Sequence, residues 1–364
     1  MFSFSYLVAV SFLASSDSFL CVFSVARAES DRYPLSGKWR VAGGFLAPRS
    51  LPDLRAQSGL AFLPLRGDLL DRRRVTSVSA SAGGEGETGT GKGPGRLLVI
   101  GASQNLGFDV VKAAAERGCK DGSFSSVVAS IRPQSDASGL QELVSKFQSQ
   151  PCTVAVTRCD AMDRYQCSRL LEEWAPSHIV ACVGGAHWNN AMLFDAERKQ
   201  EPGEKERAAL VDLDANRNLI FASIGQQASV PGGIRQFLLV SAVGAGESRE
   251  WIPSASKDSL VTWLDAKSRA EEYLQCSGLP YTIFRPCPMD EESGPSEVVI
   301  TEGPCYSLVS RKETAEALVR CLGKENVIGK RLAVVDRKRL MQANPFVRRL
   351  ECYEPEGFEP FEVV

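Results

Sequence analysis

The chain has little of what a metal site needs. It contains only two histidines, His178 and His187, and its eleven cysteines are scattered singly from Cys21 to Cys352 without a C-x-x-C pair. Because zinc sites are built from closely spaced cysteines and histidines, the sequence predicts no metal centre. An odd number of scattered cysteines is more typical of a reducing compartment than of a disulfide framework.

A strong net charge is also missing. The formal net charge is −2 in 364 residues, with 44% hydrophobic and 24% charged residues. This composition is typical of a soluble globular protein with one or two domains. It shows no basic footprint for nucleic acid or for an anionic membrane, so we expect no nucleic-acid partner.

The first 95 residues lack the pattern of a packed domain. Residues 1–28 are mostly apolar and end in a small-x-small site, which predicts a secretory signal peptide cleaved after Ala28; a transmembrane anchor is the alternative. Residues 29–95 are rich in arginine, lack hydrophobic periodicity and end in a glycine-rich linker, which is typical of an organelle transit peptide.

These two segments in series resemble the bipartite leaders of secondary plastids, in which a phenylalanine follows the signal cleavage point. The candidates Phe45 and Phe62 lie further downstream than that pattern prefers. The leader therefore predicts the plastid stroma, and a secreted protein with a disordered pro-segment is the alternative.

From Arg96 onward, short apolar runs alternate with segments of helical length. The apolar runs are 96–100, 126–131, 153–157, 178–183, 236–241 and 281–285, and the helical segments are 106–117, 138–149, 163–174, 207–229 and 257–277. This alternation predicts a doubly wound, parallel α/β sheet of the Rossmann type with strand order 3-2-1-4-5-6.

The same pattern sets the predicted domain boundaries. A last helix at 310–323 and a strand at 331–336 are expected at the far edge of the sheet, which gives a single folded domain over 96–336. The acidic tail, residues 337–364, is expected to wrap the surface.

The turn after the first predicted strand matches G-x-x-G-x-x-G except at its middle position, where Gln104 stands. The first glycine allows a tight turn and the last lets helix and strand approach closely. N–H groups at the start of the helix attract phosphate whatever residue occupies position 104. The residues predicted to hold a pyrophosphate are Gly101, Ser103, Gln104, Asn105, Leu106 and Gly107; a merely structural turn is the alternative.

Three later strand ends complete a predicted cofactor site. Arg132 follows the second strand where an NAD-binding protein has an acid, so it suits a 2′-phosphate and favours NADP(H) over NAD(H); a solvated arginine is the alternative. Asp160 and Ala161 are expected beside the adenine, unless Asp160 caps the next helix. Val183 and Gly184 are expected where backbone passes close to the cofactor.

Five stretches carry a family resemblance: VIGASQNLG (99–107), VDLDANRNLIFAS (211–223), FLLVSAVGAG (237–246), KSRAEEYLQCSGLPYTIFRPCPM (267–289) and 309–336. The chain resembles the atypical short-chain dehydrogenase/reductase family, in its NmrA-like NAD(P)-binding group. The resemblance implies NADP(H) or NAD(H) binding. It implies a reductase, an epimerase or a cofactor-binding protein without a reaction, the last including plastid proteins of photosystem assembly and import.

The resemblance supplies catalytic roles only in part. Lys267 resembles the lysine that holds the nicotinamide ribose, and Ser241 resembles the serine that orients a substrate carbonyl. Trp263 stands where the wider superfamily has its acid tyrosine, and an indole is no substitute; a core position for Trp263 is the alternative. Pro286 is a further predicted cofactor contact. Cys287 replaces a family glycine near the nicotinamide amide, as a redox-sensitive or a buried inert thiol.

Five other polar residues are weaker candidates. His187 is an alternative acid unless it is solvated. Asp212 resembles the residue that braces the active-site lysine through water. Asn216 and Asn218 fit a family motif, with a packing role as the alternative, and Tyr273 is expected on another helix face, nearer the sheet.

Two functions remain open. One is a plastid NADPH-dependent reductase of a small or isoprenoid-like substrate, with its proton from His187, water or the substrate. The other is a non-catalytic NADP(H)-binding protein that reports redox state or helps assemble a plastid pigment-protein complex in the membrane. The missing tyrosine favours the second, while the retained cofactor site serves both.

Overall fold

The protein is described by a computed structural model with two compact units, Met1–Gly89 and Thr90–Val364. In the first unit, β1 (Ser5–Ser15) and β2 (Ser18–Ala28) form an antiparallel hairpin. The signal peptide proposed over these residues stays a prediction, and most of the transit-like segment lies outside the described residues. Those residues are 5–15, 18–28, 94–184, 209–229, 232–252, 254–291, 297–303, 305–344, 349–352 and 360–364.

The second unit is built on an eight-stranded sheet. The strands of this unit are β3 (Gly95–Ile100), β4 (Phe124–Ile131), β5 (Thr153–Arg158), β6 (His178–Ala181), β7 (Gln236–Val240), β8 (Tyr281–Pro286), β9 (Met289–Asp290), β10 (Val298–Thr301), β11 (Val309–Ser310), β12 (Arg331–Asp336), β13 (Met341–Asn344) and β14 (Arg349–Cys352). The main sheet has the order β10-β12-β8-β7-β6-β3-β4-β5. Two small pairs, β9 with β11 and β13 with β14, lie apart from it.

The predicted doubly wound fold is confirmed. The series β5-β4-β3-β6-β7-β8 has the predicted strand order, and every neighbouring pair in it is parallel. The predicted edge strand, 331–336, is not at the edge, because β10 pairs antiparallel on its outer side. The four-residue β10 is too short to show a distinct hydrophobic pattern of its own.

Helices cover both faces of the sheet. They are α1 (Asn105–Asp121), α2 (Ser138–Phe147), α3 (Arg164–Trp174), α4 (Asn216–Ser229), α5 (Ser254–Gln275) and α6 (Arg311–Cys321). One hydrophobic cluster joins α1, α2 and α6 to the sheet, and a second joins α3, α4 and α5. The predicted helix 207–229 is interrupted, since a π-helical turn, Val211–Ala215, precedes α4.

The central strand shows why its sequence is an unbroken apolar run. Successive side chains of a strand point to opposite faces. Accordingly, Leu97 and Val99 of β3 lie in one hydrophobic cluster, whereas Leu98 and Ile100 lie in the other. A strand covered by helices on both faces therefore needs apolar residues at consecutive positions.

Capping side chains define two helix starts. Asp163 caps α3 by accepting hydrogen bonds from the backbone N–H groups of Tyr165 and Gln166. The alternative that Asp160 caps this helix is therefore wrong, because the Asp160 carboxylate accepts from Met162 N at 3.0 Å within the preceding loop. Ser310 caps α6.

The tail contacts the main sheet near Phe361. A 3₁₀ turn, Arg337–Arg339, leads into the β13–β14 hairpin. Further on, Phe361 N donates to Ile300 O at 2.6 Å, and the Phe361 and Val363 side chains pack on a core cluster.

Candidate functional site

The predicted site residues meet at one cleft at the carboxyl ends of the parallel strands. The cleft has a volume of about 590 Å³. It lies across the point where the strand order reverses between β3 and β6, which is where open α/β sheets bind ligands. Its lining includes Gly101, Ser103, Gln104, Asn105, Leu106, Gly107, Arg132, Asp160, Ala161, Val183, Gly184, Ser241, Lys267 and Pro286. Their roles toward a cofactor stay predictions.

Backbone geometry explains which positions of the loop need glycine. Gly101 has φ +83°, and a Cβ there would lie 2.6 Å from Cys182 O. A Cβ on Gly107 would collide with the backbone of Gly101. Gln104 has φ −162°, which is extended backbone open to any residue, so its side chain needs no special geometry. The left-handed position is instead Asn105, with φ +52°, a conformation that asparagine tolerates.

The start of α1 has the features of an anion site. Among the described residues no side chain caps this helix, and its first turn contains no acidic residue. Backbone N–H groups in the first turn of a helix have no partner within that helix, and the helix dipole favours negative charge there. The N–H groups of Asn105, Leu106 and Gly107 thus fit a pyrophosphate.

The loop after β4 presents Arg132 to the cleft. Arg132 is exposed, and its guanidinium makes no hydrogen bond or ion pair with any residue the structure describes. Arg158 of β5 holds this loop, because its Nη1 donates to Arg132 O at 3.2 Å and Ser135 O at 3.1 Å. Sequence reasoning missed Arg158, whose only signal is its place at the end of the neighbouring strand.

Asn218 fixes the wall formed by the β5 loop. Its Nδ2 donates to Ala161 O at 3.1 Å and Met162 O at 3.0 Å. Asn216 Nδ2 donates to Asp212 O at 2.6 Å. Both amides act on the protein's own backbone, so the structure shows the packing role for these asparagines.

A buried ion pair lies at the centre of the cleft. Lys267 Nζ is 2.9 Å from Asp212 Oδ1, and the two residues are 6% and 0% exposed. Asp212 therefore contacts the lysine directly, which corrects the expectation of a brace through water. Trp263 Nε1 donates to Asp212 Oδ2 at 3.1 Å. The indole lines the cleft and is half-buried, so Trp263 is not simply a core residue.

Ser241 and two thiols lie near this pair. The Ser241 hydroxyl is buried at the cleft, 4% exposed, and has no hydrogen-bond partner among the described atoms. A buried hydroxyl without a partner costs about 1–3 kcal/mol, which a bound ligand with an acceptor atom would recover. Cys287 is also buried and lines the same cleft. Burial raises the pKa of the Cys182 thiol to about 12 despite the nearby Lys267 ammonium.

One proposed proton donor, Tyr273, is not brought to this site. Tyr273 packs its ring against Phe221, with centroids 6.1 Å apart, and does not line the cleft. His187 lies outside the described residues. Sequence reasoning missed a different tyrosine, Tyr306, which does line the cleft. It lies in a loop before β11, and no local pattern marks it.

Within the described part of the chain, no cluster of histidine, cysteine, aspartate or glutamate has the arrangement of a metal site. The helices described there include none long and apolar enough to cross a membrane.

The sheet and its cleft define a protein of the dinucleotide-binding Rossmann class. The family model described as NAD(P)H-binding matches residues 101–325. The chain belongs to this NAD(P)H-binding family, and the sequence-based identification as an atypical short-chain dehydrogenase/reductase is confirmed.

Known relatives share part of the chain. The uncharacterized sugar epimerase YhfK of Bacillus subtilis is 29% identical over 154 residues, 42% of this chain and 65% of that protein. Protein TIC 62, chloroplastic, of Oryza sativa is 26% identical over 232 residues, 62% of this chain and 42% of that protein. The chain thus spans less than two thirds of these relatives.

Two solved structures are similar to part of the chain. ChuY, an anaerobillin reductase from Escherichia coli O157:H7, is 20% identical with a TM-score of 0.48 over 66% of this chain and 97% of its own. An NAD-dependent epimerase/dehydratase assigned in Bacillus halodurans gives the same identity and TM-score over 66% and 94%.

Proposed function

We propose that this chain binds NADP(H) in the cleft and acts as a reductase of small carbonyl compounds. The observation that carries the proposal is the meeting, in one cleft, of a helix start, Arg132 and a buried Ser241 hydroxyl, none of which has a side-chain partner among the described residues, with a buried Lys267. The first two suit a phosphorylated dinucleotide, and the last two suit the ribose and a carbonyl acceptor.

Each residue then has a definite task. The nicotinamide coenzyme, when bound, supplies a hydride. Lys267 would donate hydrogen bonds to ribose hydroxyls, and Asp212 holds the ammonium group in place at 2.9 Å. Ser241 would donate to the carbonyl oxygen of the acceptor, which orients and polarises that bond. Trp263 closes the wall beside Lys267 without giving a proton.

A second candidate function is a cofactor-binding protein without turnover. It is supported by Trp263, whose indole occupies the acid position and donates its only N–H to Asp212. In this alternative, bound NADP(H) changes the surface that the protein offers to a plastid membrane-protein complex, and its reduced or oxidised state is what the complex reads.

We also propose that the protein works in the plastid stroma. The support is the two-part leader pattern of residues 1–95 and the similarity to a chloroplastic relative, 26% identical over 232 residues. Fluorescence microscopy of the full chain fused at its C-terminus to a fluorescent protein would test this location. Secretion of the fusion would overturn it.

Coenzyme preference is tested by replacing the Arg132 guanidinium. Arg132→Ala is expected to weaken NADPH binding about tenfold, because a charge-assisted contact to the 2′-phosphate is lost, while NADH binding changes less than about twofold. Fluorescence titration measures both. Arg169→Ala is the matched control, since Arg169 is an exposed arginine of α3 outside the cleft. Equal losses for the two coenzymes would contradict the NADP(H) proposal.

Turnover separates the two candidate functions. Oxidation of NADPH is followed at 340 nm with a set of aldehydes and ketones. If NADPH binds but none of the aldehydes and ketones causes its oxidation, the non-catalytic function is supported. If neither NADPH nor NADH binds, both candidate functions are excluded.

A further inference from the structure

One end of the cleft has an apolar wall. Ile252, Leu260, Trp263, Met289 and Tyr306 line it, and all of them belong to or pack on a single hydrophobic cluster. Two of these five side chains are aromatic. Flat aromatic and apolar walls favour a planar apolar ligand, because buried apolar area and ring stacking supply the binding energy.

Charge is scarce at this end. Among the described lining residues beside this wall, the charged side chain is Lys267, and its ammonium is already paired with Asp212 at 2.9 Å. A phosphate or carboxylate placed here would lack a cation to balance it, and burial of an unpaired charge is costly. The described wall therefore suits an uncharged ligand rather than a sugar nucleotide.

Two hydroxyl groups supply the polarity of this region. The Tyr306 hydroxyl makes no hydrogen bond with any residue the structure describes, and the ring is half-buried at the cleft. The Ser241 hydroxyl is buried and also lacks a partner among those residues. Burial and the neighbouring Cys287 raise the pKa of Tyr306 to about 12. The phenol thus stays protonated, and can donate, throughout the physiological pH range.

We propose that this end of the cleft binds planar, uncharged aromatic ketones and aldehydes, and that Tyr306 donates a hydrogen bond to their carbonyl oxygen and then its proton. The binding part stands on the cleft wall alone, whereas the proton transfer rests on the proposed reductase function. Tyr306 thereby supplies, from a loop, the phenol that α5 lacks at Trp263.

The transfer balances as a two-electron reduction. A hydride adds to the carbonyl carbon, the π pair of the C=O bond moves to oxygen, and the Tyr306 O–H bond breaks to protonate that oxygen. The products are an alcohol, the oxidised coenzyme and a phenolate, which water reprotonates. A phenol of pKa about 12 is a stronger acid than the alcohol formed, so the proton moves downhill.

The binding part is tested with two probes that differ only in the carbonyl, 9-fluorenone and fluorene. Quenching of tryptophan fluorescence in the full chain measures both. Tyr306→Phe is expected to weaken 9-fluorenone binding about five- to tenfold, the effect of one lost hydrogen bond, and to leave fluorene binding within about twofold. Tyr281→Phe is the matched control, because Tyr281 begins β8 at the end of the strand away from the cleft.

Three results would overturn the binding part. They are an unchanged 9-fluorenone affinity in Tyr306→Phe, equal losses for both probes, or tighter binding of UDP-glucose than of 9-fluorenone. These titrations need no coenzyme, so they decide the acceptor site even where NADPH fails to bind and the proposed function falls.

The proton transfer is tested with 4-nitrobenzaldehyde and NADPH. Tyr306→Phe is expected to lower kcat at least about 100-fold, as for loss of a general acid, and to raise KM by no more than about five- to tenfold, the effect of the lost hydrogen bond, with the NADPH affinity changed only a few-fold. A wild-type protein that binds NADPH but does not oxidise it with this aldehyde, or a variant that keeps its kcat, would refute the role of Tyr306.

Discussion

At the scale of single residues, the cleft shows that a motif glycine is required only where the backbone angle or the available space excludes a side chain. Gly101 is needed because φ is +83° and because the Cys182 carbonyl leaves no room for a Cβ. Gln104 replaces a motif glycine without strain because its backbone is extended. The prediction that the two outer positions need glycine is thus supported, and a glutamine at the middle position is compatible with the same loop.

Two glycines with positive φ distinguish the cost of backbone strain from the cost of a steric clash at Cβ. Gly122 has φ +68° with open space around a Cβ, whereas a Cβ on Gly101 meets Cys182 O at 2.6 Å. Gly122→Ala is expected to cost about 1 kcal/mol in the free energy of unfolding, and Gly101→Ala roughly 3 kcal/mol or more. Urea unfolding measures both. Equal costs would show that the collision is relieved by a small shift of the loop.

The apolar wall at one end of the cleft could not be predicted from single residues of the sequence. Lys267 and Ser241 could be located because they follow recognisable motifs on an element. Tyr306 and Ile252 come from loops far apart in the chain, and only the packing of those loops brings them to one cleft. Local patterns carry no information on such tertiary contacts.

At the scale of elements, α5 presents one stripe of functional side chains. Trp263, Lys267 and Glu271 are spaced four residues apart and so share a helix face. The first two contact Asp212, and Glu271 accepts from Arg285 Nε of β8 at 3.0 Å. Burial alone would lower the pKa of Arg285, but the hydrogen-bonded carboxylates of Glu271 and Glu247 raise it. The helix is thereby fixed to the sheet by the stripe that also carries the lysine.

Neighbouring glutamates on α5 test this attachment. Glu271→Ala is expected to lower the free energy of unfolding by about 3 kcal/mol, because it leaves the buried Arg285 with only its more exposed partner Glu247. Glu272→Ala, at an exposed position of the same helix, is expected to change it by less than about 0.5 kcal/mol. Thermal or urea unfolding provides the comparison, and similar effects of the two changes would argue against a structural ion pair.

Secondary structure was predicted correctly where burial on both faces of the sheet requires an unbroken apolar run in the sequence. The six strands of the predicted series are all present, since each is a Val-, Ile- or Leu-rich run between helical segments. The π turn at Val211–Ala215 was not predicted, because it differs from an α-helix only in hydrogen bonds that span one more residue, and its sequence fits either form.

At the scale of the whole molecule, the chain divides into two compact units, with the boundary between residues 89 and 90 of the sequence. The described core clusters lie entirely in the second unit. We expect residues 90–364, expressed alone, to unfold in a single cooperative transition with the midpoint of the full chain. Circular dichroism during urea titration measures it. A lower midpoint for the shorter chain would show that residues 1–89 contribute to the stability of the fold.

The contact between Phe361 and the outermost strand bears on how the protein behaves in a crowded compartment. A strand at the end of a sheet exposes backbone groups that another chain can pair with, which is a route to aggregation. The Phe361 amide occupies the Ile300 carbonyl of β10. This contact therefore hinders a strand of another chain from pairing with β10. We expect removal of residues 360–364 to lower the solubility of the protein before it changes the cleft.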